Sequence, residues 1–369
     1  MMNFHQFALE NRIAFITYKL PDLEEVTTLV QWKTEPIALA NLMELEGKSG
    51  FVFAPFNIES HHPIRLIEPD LVIKGDKIDE SLFTIFNDDL VKVKPSTTNV
   101  VCSPSETSRE LYLAKVDDFR SKLNPGKLDK LVLSRISIEA KPRGFNPSIL
   151  LRELQHSYPD AFVFMIHIAD AGLWIGASPE PLLQIKDNVV STVSLAGTRL
   201  YNGQSIDREW GPKELEEQEI VTRYIDSILE KFKVKQYTKQ GPQTKLAGAV
   251  EHLLTRFTFS LDALQGKIVE LIDAIHPTPS VCGLPKDQAL EIILNSEEHD
   301  REYYTGFLGT FNIEKQYALF VNLRCMRVGV DQLIYFLGAG ITAGSDPEKE
   351  WEETNSKKRT LMSIVETLN

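Results

Sequence analysis

Strand-forming runs outnumber helical ones along this chain and arrive in adjacent pairs, which constrains the fold more than any other feature of the sequence. Leu131–Leu133 and Ile136–Ile138 read as strand, as do Phe162–Ile168, Leu173–Ile175, Asn188–Leu195, Tyr317–Arg327 and Leu333–Leu337. A strand that leads directly into another pairs with it antiparallel, because parallel pairing needs a crossover of about a dozen residues. The expected class is α+β, a single large domain of mostly antiparallel sheets flanked by helices.

The helices are fewer and clearly punctuated. One is expected over Ser105–Leu123, stopping at the turn signal Asn124-Pro125-Gly126. Asn146 is a capping residue with Pro147 in the first helical position, opening a helix to about Tyr158. Two long helices should cover Pro212–Phe232 and Pro347–Thr367. The polar stretch Lys94–Asn99 reads as a boundary, which divides the chain into an N-terminal part of the fold packed on the core, residues 1–104, and a larger region, residues 105–369.

Composition narrows the function classes. The 369 residues are 43% hydrophobic and 25% charged, which suits one large globular domain or two fused ones. A net charge of −12 without a long Lys/Arg run argues against nucleic acid and anionic membranes as partners. No stretch approaches the roughly 18 apolar residues of a membrane span, and the N-terminus lacks a signal-peptide layout. Cys102, Cys282 and Cys325 are too scattered for a zinc pair or a disulfide framework, so reduced thiols in a cytoplasmic protein are expected. His61-His62-Pro63 carries no accompanying ligand spacing and reads as surface. An acidic chain can still take a small anion where a metal or a few placed cations neutralise it.

Two helices carry carboxylates on their apolar sides. Val221, Tyr224, Ile228 and Phe232 form a stripe with Glu217 in line, so that Glu217 must be paired, protonated, metal-bound or reaching out to water. Glu350 shares a face with Leu361, Ile364 and Leu368, and Glu353 follows one turn on. These glutamates either complement the helix dipole or, together with Glu217, hold a hard cation such as magnesium. The glycine-rich Leu337–Gly344 permits either a tight bend or close backbone approach to a ligand. His276-Pro277-Thr278-Pro279 is a rigid loop presenting an imidazole or a turn with a structural histidine. Arg324 is a carboxylate clamp or an ordinary ion-pair partner.

From about Ser105 to Asn369 the chain resembles the chorismate-utilising enzymes, which include isochorismate, salicylate, anthranilate and aminodeoxychorismate synthases. The resemblance rests on an unbroken series: Lys130–Arg135, Gly176–Glu180, Leu195–Arg199, Lys213–Glu217, the His276 loop, Asp300–Gly306, Asn322–Cys325 and Gly338–Lys357. It implies that Glu217, Glu350 and Glu353 hold Mg2+, which takes the ring carboxylate of chorismate. Arg324 and Tyr304, with backbone around Gly338 and Gly340 and with Lys357 close by, would hold the enolpyruvyl carboxylate. Gly197 and Thr198 would line the ring with His276 beside it. Lys130 would act as base and Glu180 as acid, which requires a neutral lysine and a protonated glutamate.

Within that family, Lys130 implies water as the nucleophile and hence an isochorismate synthase, with salicylate synthase as the alternative. No lysine precedes the Gly197-Thr198 pair as in aminodeoxychorismate synthases, and no glutaminase subunit is expected. A non-catalytic chorismate-binding protein should have lost at least one of these residues, and none is missing. Gln218 stands where histidine is frequent in the family and is expected to point away from the apolar stripe. A monomer is expected, serving menaquinone synthesis, with siderophore synthesis as the other destination.

Overall fold

The computed structural model describes residues 4–75, 104–124, 126–201, 203, 209–248 and 250–368. The expected boundary at Lys94–Asn99, and Cys102, lie outside the described residues. Two nine-stranded antiparallel sheets carry the fold. The first runs in the order β14 (Gly283–Leu284), β7 (Lys130–Ala140), β18 (Gln332–Ile341), β17 (Cys325–Val328), β9 (Gly172–Ser178), β8 (Phe162–Ile168), β1 (Ala14–Lys19), β2 (Val26–Gln31) and β6 (Leu71–Lys74). The second runs β12 (Thr238–Ala247), β13 (Val250–Ser260), β11 (Val189–Leu200), β10 (Pro181–Lys186), β16 (Gln316–Val321), β15 (Phe307–Ile313), β4 (Gly50–Ala54), β5 (Ile64–Ile67) and β3 (Ile37–Leu39). Strands from the first 75 residues are built into both sheets, β1 against β8 and β4 against β15.

The sheets face one another and helices cover their outer sides, giving four layers. Alternation along single strands assigns the faces. Phe162, Phe164 and Ile166 of β8 enter the core between the sheets with Phe51 and Phe53 of β4. Val163 and Met165 instead meet the outer helices α1 (Phe4–Glu10), α3 (Pro147–Ser157) and α7 (Pro347–Thr367). Val52 and Ala54 turn to the opposite outer core, where α4 (Pro212–Lys231) and α5 (Ile268–Ile275) pack. With both faces covered, these strands read as continuous apolar runs rather than alternating ones.

Several boundaries differ from expectation for local reasons. Helix α2 (Arg109–Lys122) starts after Ser108, whose side chain accepts from Leu111 N. The preceding Glu106 and Thr107 are hydrogen-bonded to β7 at Ser137 and Ile136 instead. The two short runs at 131–133 and 136–138 are one strand, with Arg135 buried against Trp351, its guanidinium 4.0 Å from the ring centroid. The expected strand Tyr317–Arg327 breaks at Asn322–Arg324, where Arg324 takes φ +48° and the chain passes from the second sheet to the first. Asp346 caps α7 by accepting from Glu348 N and Lys349 N, with Pro347 in the first turn, as the sequence implies. Helix α6 (Lys286–Ser296) leads into the segment carrying Tyr304.

Candidate active site

One cavity gathers Lys130, Glu180, Thr198, Glu217, Tyr304, Arg324, Gly338, Gly340, Glu353 and Lys357 around an apolar rim that includes Leu195, Ala196 and Leu323. Two of these residues sit where the backbone changes sheets. Glu180 lies between β9 and β10, and Arg324 lies between β16 and β17. The crossings are tied together: Val321 N donates to Glu180 O at 2.9 Å and Ala177 N to Arg324 O at 3.0 Å.

Lys130 opens β7 and is fully buried. Its Nζ stands 2.7 Å from Glu217 Oε1, an ion pair that engages at most one of its three donors and leaves the others unmet. A buried donor in that condition is costly unless something else arrives to accept from it. Burial pushes Glu217 upward, but Lys130, with Lys213 and Lys357 behind it, outweighs burial and holds the carboxyl below its ordinary range. Burial also dominates at Glu180 and is only partly offset by Lys130 and Thr278, pushing this carboxyl up to about 8. Glu180 therefore carries a proton at neutral pH.

The glycines of the 337–344 stretch serve close approach rather than a bend, because residues up to Ile341 form a straight ladder with β7. A Cβ on Gly340 would stand 2.4 Å from Glu217 Oε1 and 2.9 Å from Lys130 Cε, and one on Gly338 would stand 2.9 Å from the Tyr304 hydroxyl. Bare backbone at both positions lets these side chains lie flat on β18.

His252 on β13 lines the cavity and had no counterpart among the sequence expectations. Burial, with Arg324 and Lys357 nearby, keeps its pKa well below the ordinary value, so the ring is neutral. Arg324 Nη2 can only donate, and lies 3.1 Å from His252 Nε2, so the ring proton belongs on Nδ1, which reaches Gly197 O at 3.1 Å. Thr360 Oγ1 accepts from Arg324 Nη1 at 3.2 Å, completing the aim of the guanidinium. The exposed partner strand β12, interrupted by Gly241-Pro242, has no apolar alternation, which left this hairpin illegible; the run Leu253–Phe259 beside His252 was the available signal.

Three expected positions lie off the cavity wall. His276 donates from Nε2 to Pro55 O and Phe56 O, both at 3.2 Å, and its ring meets Phe307 edge-on. Burial lowers its pKa to about 3, and its contacts are those of a neutral residue joining two loops. Gly197 offers its carbonyl to His252 rather than a surface to the cavity. Glu350 is absent from the lining that Glu353 joins, is paired with Lys213 at 2.5 Å, and is raised to about 7 by burial and by Glu353.

Gln218 does not point away. It is buried, accepts from Ala196 N at 3.0 Å, and donates to Ser194 O, Ser194 Oγ and Thr255 Oγ1. The register of β11 against β13 shifts between Ala196 and Thr198, and Gln218 satisfies the amide at that irregularity.

Glu217, Glu350 and Glu353 are hard oxygen donors from two helices, a set whose chemistry suits magnesium. Each is drawn to its own lysine, Lys130, Lys213 or Lys357, and their oxygens do not converge to one point. Burial and the half-buried Glu353 raise Glu350 despite its pairing with Lys213, the condition a hard cation would relieve, so the residues fit such an ion. No helix among the described residues is long and apolar enough to cross a membrane.

The chain is similar to several known proteins. Isochorismate synthase EntC of Escherichia coli K12 is 31% identical over 268 residues, which span 71% of this chain and 68% of that protein. The structure of MenF, the menaquinone-specific isochorismate synthase of Escherichia coli, matches with a TM-score of 0.72 at 20% identity over 95% of this chain and 88% of its own. Anthranilate synthase component I from Streptococcus pneumoniae matches with a TM-score of 0.65 at 17% identity, covering 95% and 92% respectively. These two likenesses establish a common fold. The family described as chorismate binding enzyme matches residues 67–366, and this chain belongs to it.

Proposed function

We propose that this protein is a magnesium-dependent isochorismate synthase. The observation that carries the reading is a fully buried lysine with unmet donors sharing one cavity with a glutamate that stays protonated at neutral pH. Addition of water at C2 of chorismate, migration of the double bonds and departure of the C4 hydroxyl need one group of each kind. Lys130, once neutral, takes a proton from the attacking water. Glu180 gives its proton to the C4 oxygen, which leaves as water, so that one water enters and one departs. Arg324, aimed by His252 and Thr360, would receive the enolpyruvyl carboxylate, with Tyr304 and Lys357 beside it. Magnesium bound by Glu217, Glu350 and Glu353 would supply charge neutralisation for the ring carboxylate.

The apolar Leu195 and Ala196 put no amine on that part of the cavity wall, which supports water as the nucleophile. The purified protein should convert chorismate to isochorismate reversibly, with activity abolished by EDTA and restored by Mg2+. Salicylate with stoichiometric pyruvate would move it to the salicylate synthase branch. Lys130→Ala should lose turnover yet retain Mg2+-dependent chorismate binding, and normal turnover in that variant would overturn the assignment of the base. Menaquinone synthesis is the favoured destination of the product, tested by complementing a menaquinone auxotroph.

A further inference from the structure

Away from the cavity, the loop between β4 and β5 and the segment after α6 bring three metal-ligating groups together. Asp300 Oδ2 lies 3.2 Å from His62 Nε2 and 3.9 Å from His61 Nε2. One ligand atom from each residue lies within 4.8 Å of the others, and no other group of three His, Cys, Asp or Glu among the described residues converges so closely. The imidazoles of these neighbouring residues lie side by side, with ring centroids 4.0 Å apart and planes tilted by 39°, both directed at the same carboxylate oxygen. Two charged imidazoles in that position would repel one another, whereas a single dication can take a lone pair from each ring and from the carboxylate.

The groups are held from behind. Asp300 Oδ1 accepts from Glu302 N at 2.7 Å, which leaves Oδ2 for the histidines. His62 N donates to Ser60 Oγ at 3.2 Å, and the His62 ring packs 5.7 Å from that of Tyr303, whose hydroxyl donates to Pro63 O at 3.0 Å. Supporting contacts of this kind fix ligand orientation in metal sites.

We propose that His61, His62 and Asp300 form a second metal site, for a transition-metal dication of the Zn2+ class, with water completing the coordination. Two imidazoles and one carboxylate suit zinc and its neighbours, whereas magnesium prefers oxygen donors. His61 is largely exposed, with 78% of its side chain accessible, so the ion exchanges freely with solution. Bound there, it joins the β4–β5 loop to the segment of Arg301, whose guanidinium donates to Val132 O and Val281 O beside the cavity. The site is independent of the reading given to the cavity.

The test is calorimetric titration of the EDTA-stripped, dialysed full chain with ZnCl2, in the presence and absence of excess MgCl2. One saturable equivalent that Mg2+ does not displace is expected. His61→Ala and Asp300→Asn should each weaken it about tenfold or more, and Glu350→Gln should leave it unchanged. The exposure of His61 makes His61→Ala safe for folding, which a circular dichroism melt checks. Absence of saturable binding would mean a hydrogen-bonded surface cluster only and overturn the proposal. Binding that Mg2+ displaces, that survives both substitutions, or that is lost in Glu350→Gln would overturn it equally.

Discussion

Adding one methyl group at Gly340 should separate catalysis from stability. The new Cβ would stand 2.4 Å from Glu217 Oε1 and 2.9 Å from Lys130 Cε, so at least one of them must move by about an ångström to reach ordinary contact. Both line the cavity, so the only room they have to move into is the space the substrate needs. The strand cannot yield instead, because β18 is locked to β7 from Gln332↔Ala140 to Ile341↔Leu131. Forcing a methyl into a packed site costs about 1–3 kcal/mol. If that cost falls on the Lys130–Glu217 arrangement, kcat/KM for chorismate drops about 5- to 150-fold. Gly340 has no positive φ, so alanine brings no backbone strain and recovers about 0.5–1 kcal/mol of chain entropy, leaving the melting temperature little changed. Gly344→Ala, with nothing within 4 Å of its added Cβ, is the control and should behave as wild type. Steady-state isochorismate formation and a thermal melt on both variants suffice. A Gly340→Ala enzyme within about twofold of wild-type kcat/KM would refute the argument that bare backbone holds this pair in place.

Turnover should fall as pH rises through about 8, where Glu180 loses its proton, and Glu180→Gln should bind chorismate without converting it. The same shift predicts a stability effect: the folded chain holds a proton that the unfolded chain releases near its ordinary pKa of about 4.3, so Glu180 makes stability decline with rising pH across that window. Urea melts at pH 5 and 8 should show Glu180→Gln gaining on wild type at the higher pH, and a constant difference would sink the assignment. His252→Ala removes a partner of the buried Arg324, and at about 1–3 kcal/mol for an unmet buried polar group it should raise the KM for chorismate more than it lowers kcat. An unchanged KM would separate His252 from the clamp. Gln218→Leu strips the partner from Ala196 N and should destabilise the fold by a similar amount of about 1–3 kcal/mol, read as a shifted urea midpoint; a neutral result would mean that water replaces the amide.

What the sequence reveals depends on how local the determining physics is. Caps and periodicity placed α3, α4 and α7 to within about a residue or two, since Asn146, Pro147, Pro212, Asp346 and Pro347 act on their own helices. Strand pairs such as β8 and β9 were legible for the same reason. Which sheet a strand joins is not local, so the break at Arg324 could not be read from an apolar run that continues on both sides of it. Gln218 went astray because helical phase assigns a face but not the irregularity in β11 opposite it. His276 and His252 exchange the positions expected of a cavity histidine: a proline-rich loop drew attention to the first, while the second lies in a hairpin with a polar partner strand. The His61–His62–Asp300 grouping joins residues nearly 240 positions apart, as the 238-residue separation of His62 from Asp300 records, and no spacing rule could have found it.

The two backbone crossings beside the cavity carry a consequence for how this enzyme tolerates change. Glu180 and Arg324 lie where the chain crosses from one sheet to the other, so any sliding of one sheet over the other alters the spacing between them before it disturbs either sheet internally. The core between the sheets, where Phe162 and Phe320 stack at 4.3 Å, sets that alignment, whereas α1 and α3 on the outside carry no cavity residue. Directed evolution of this scaffold should therefore find its stabilising substitutions beneath α1 and α3 and its changes in substrate preference between the sheets, although few residues there touch the cavity.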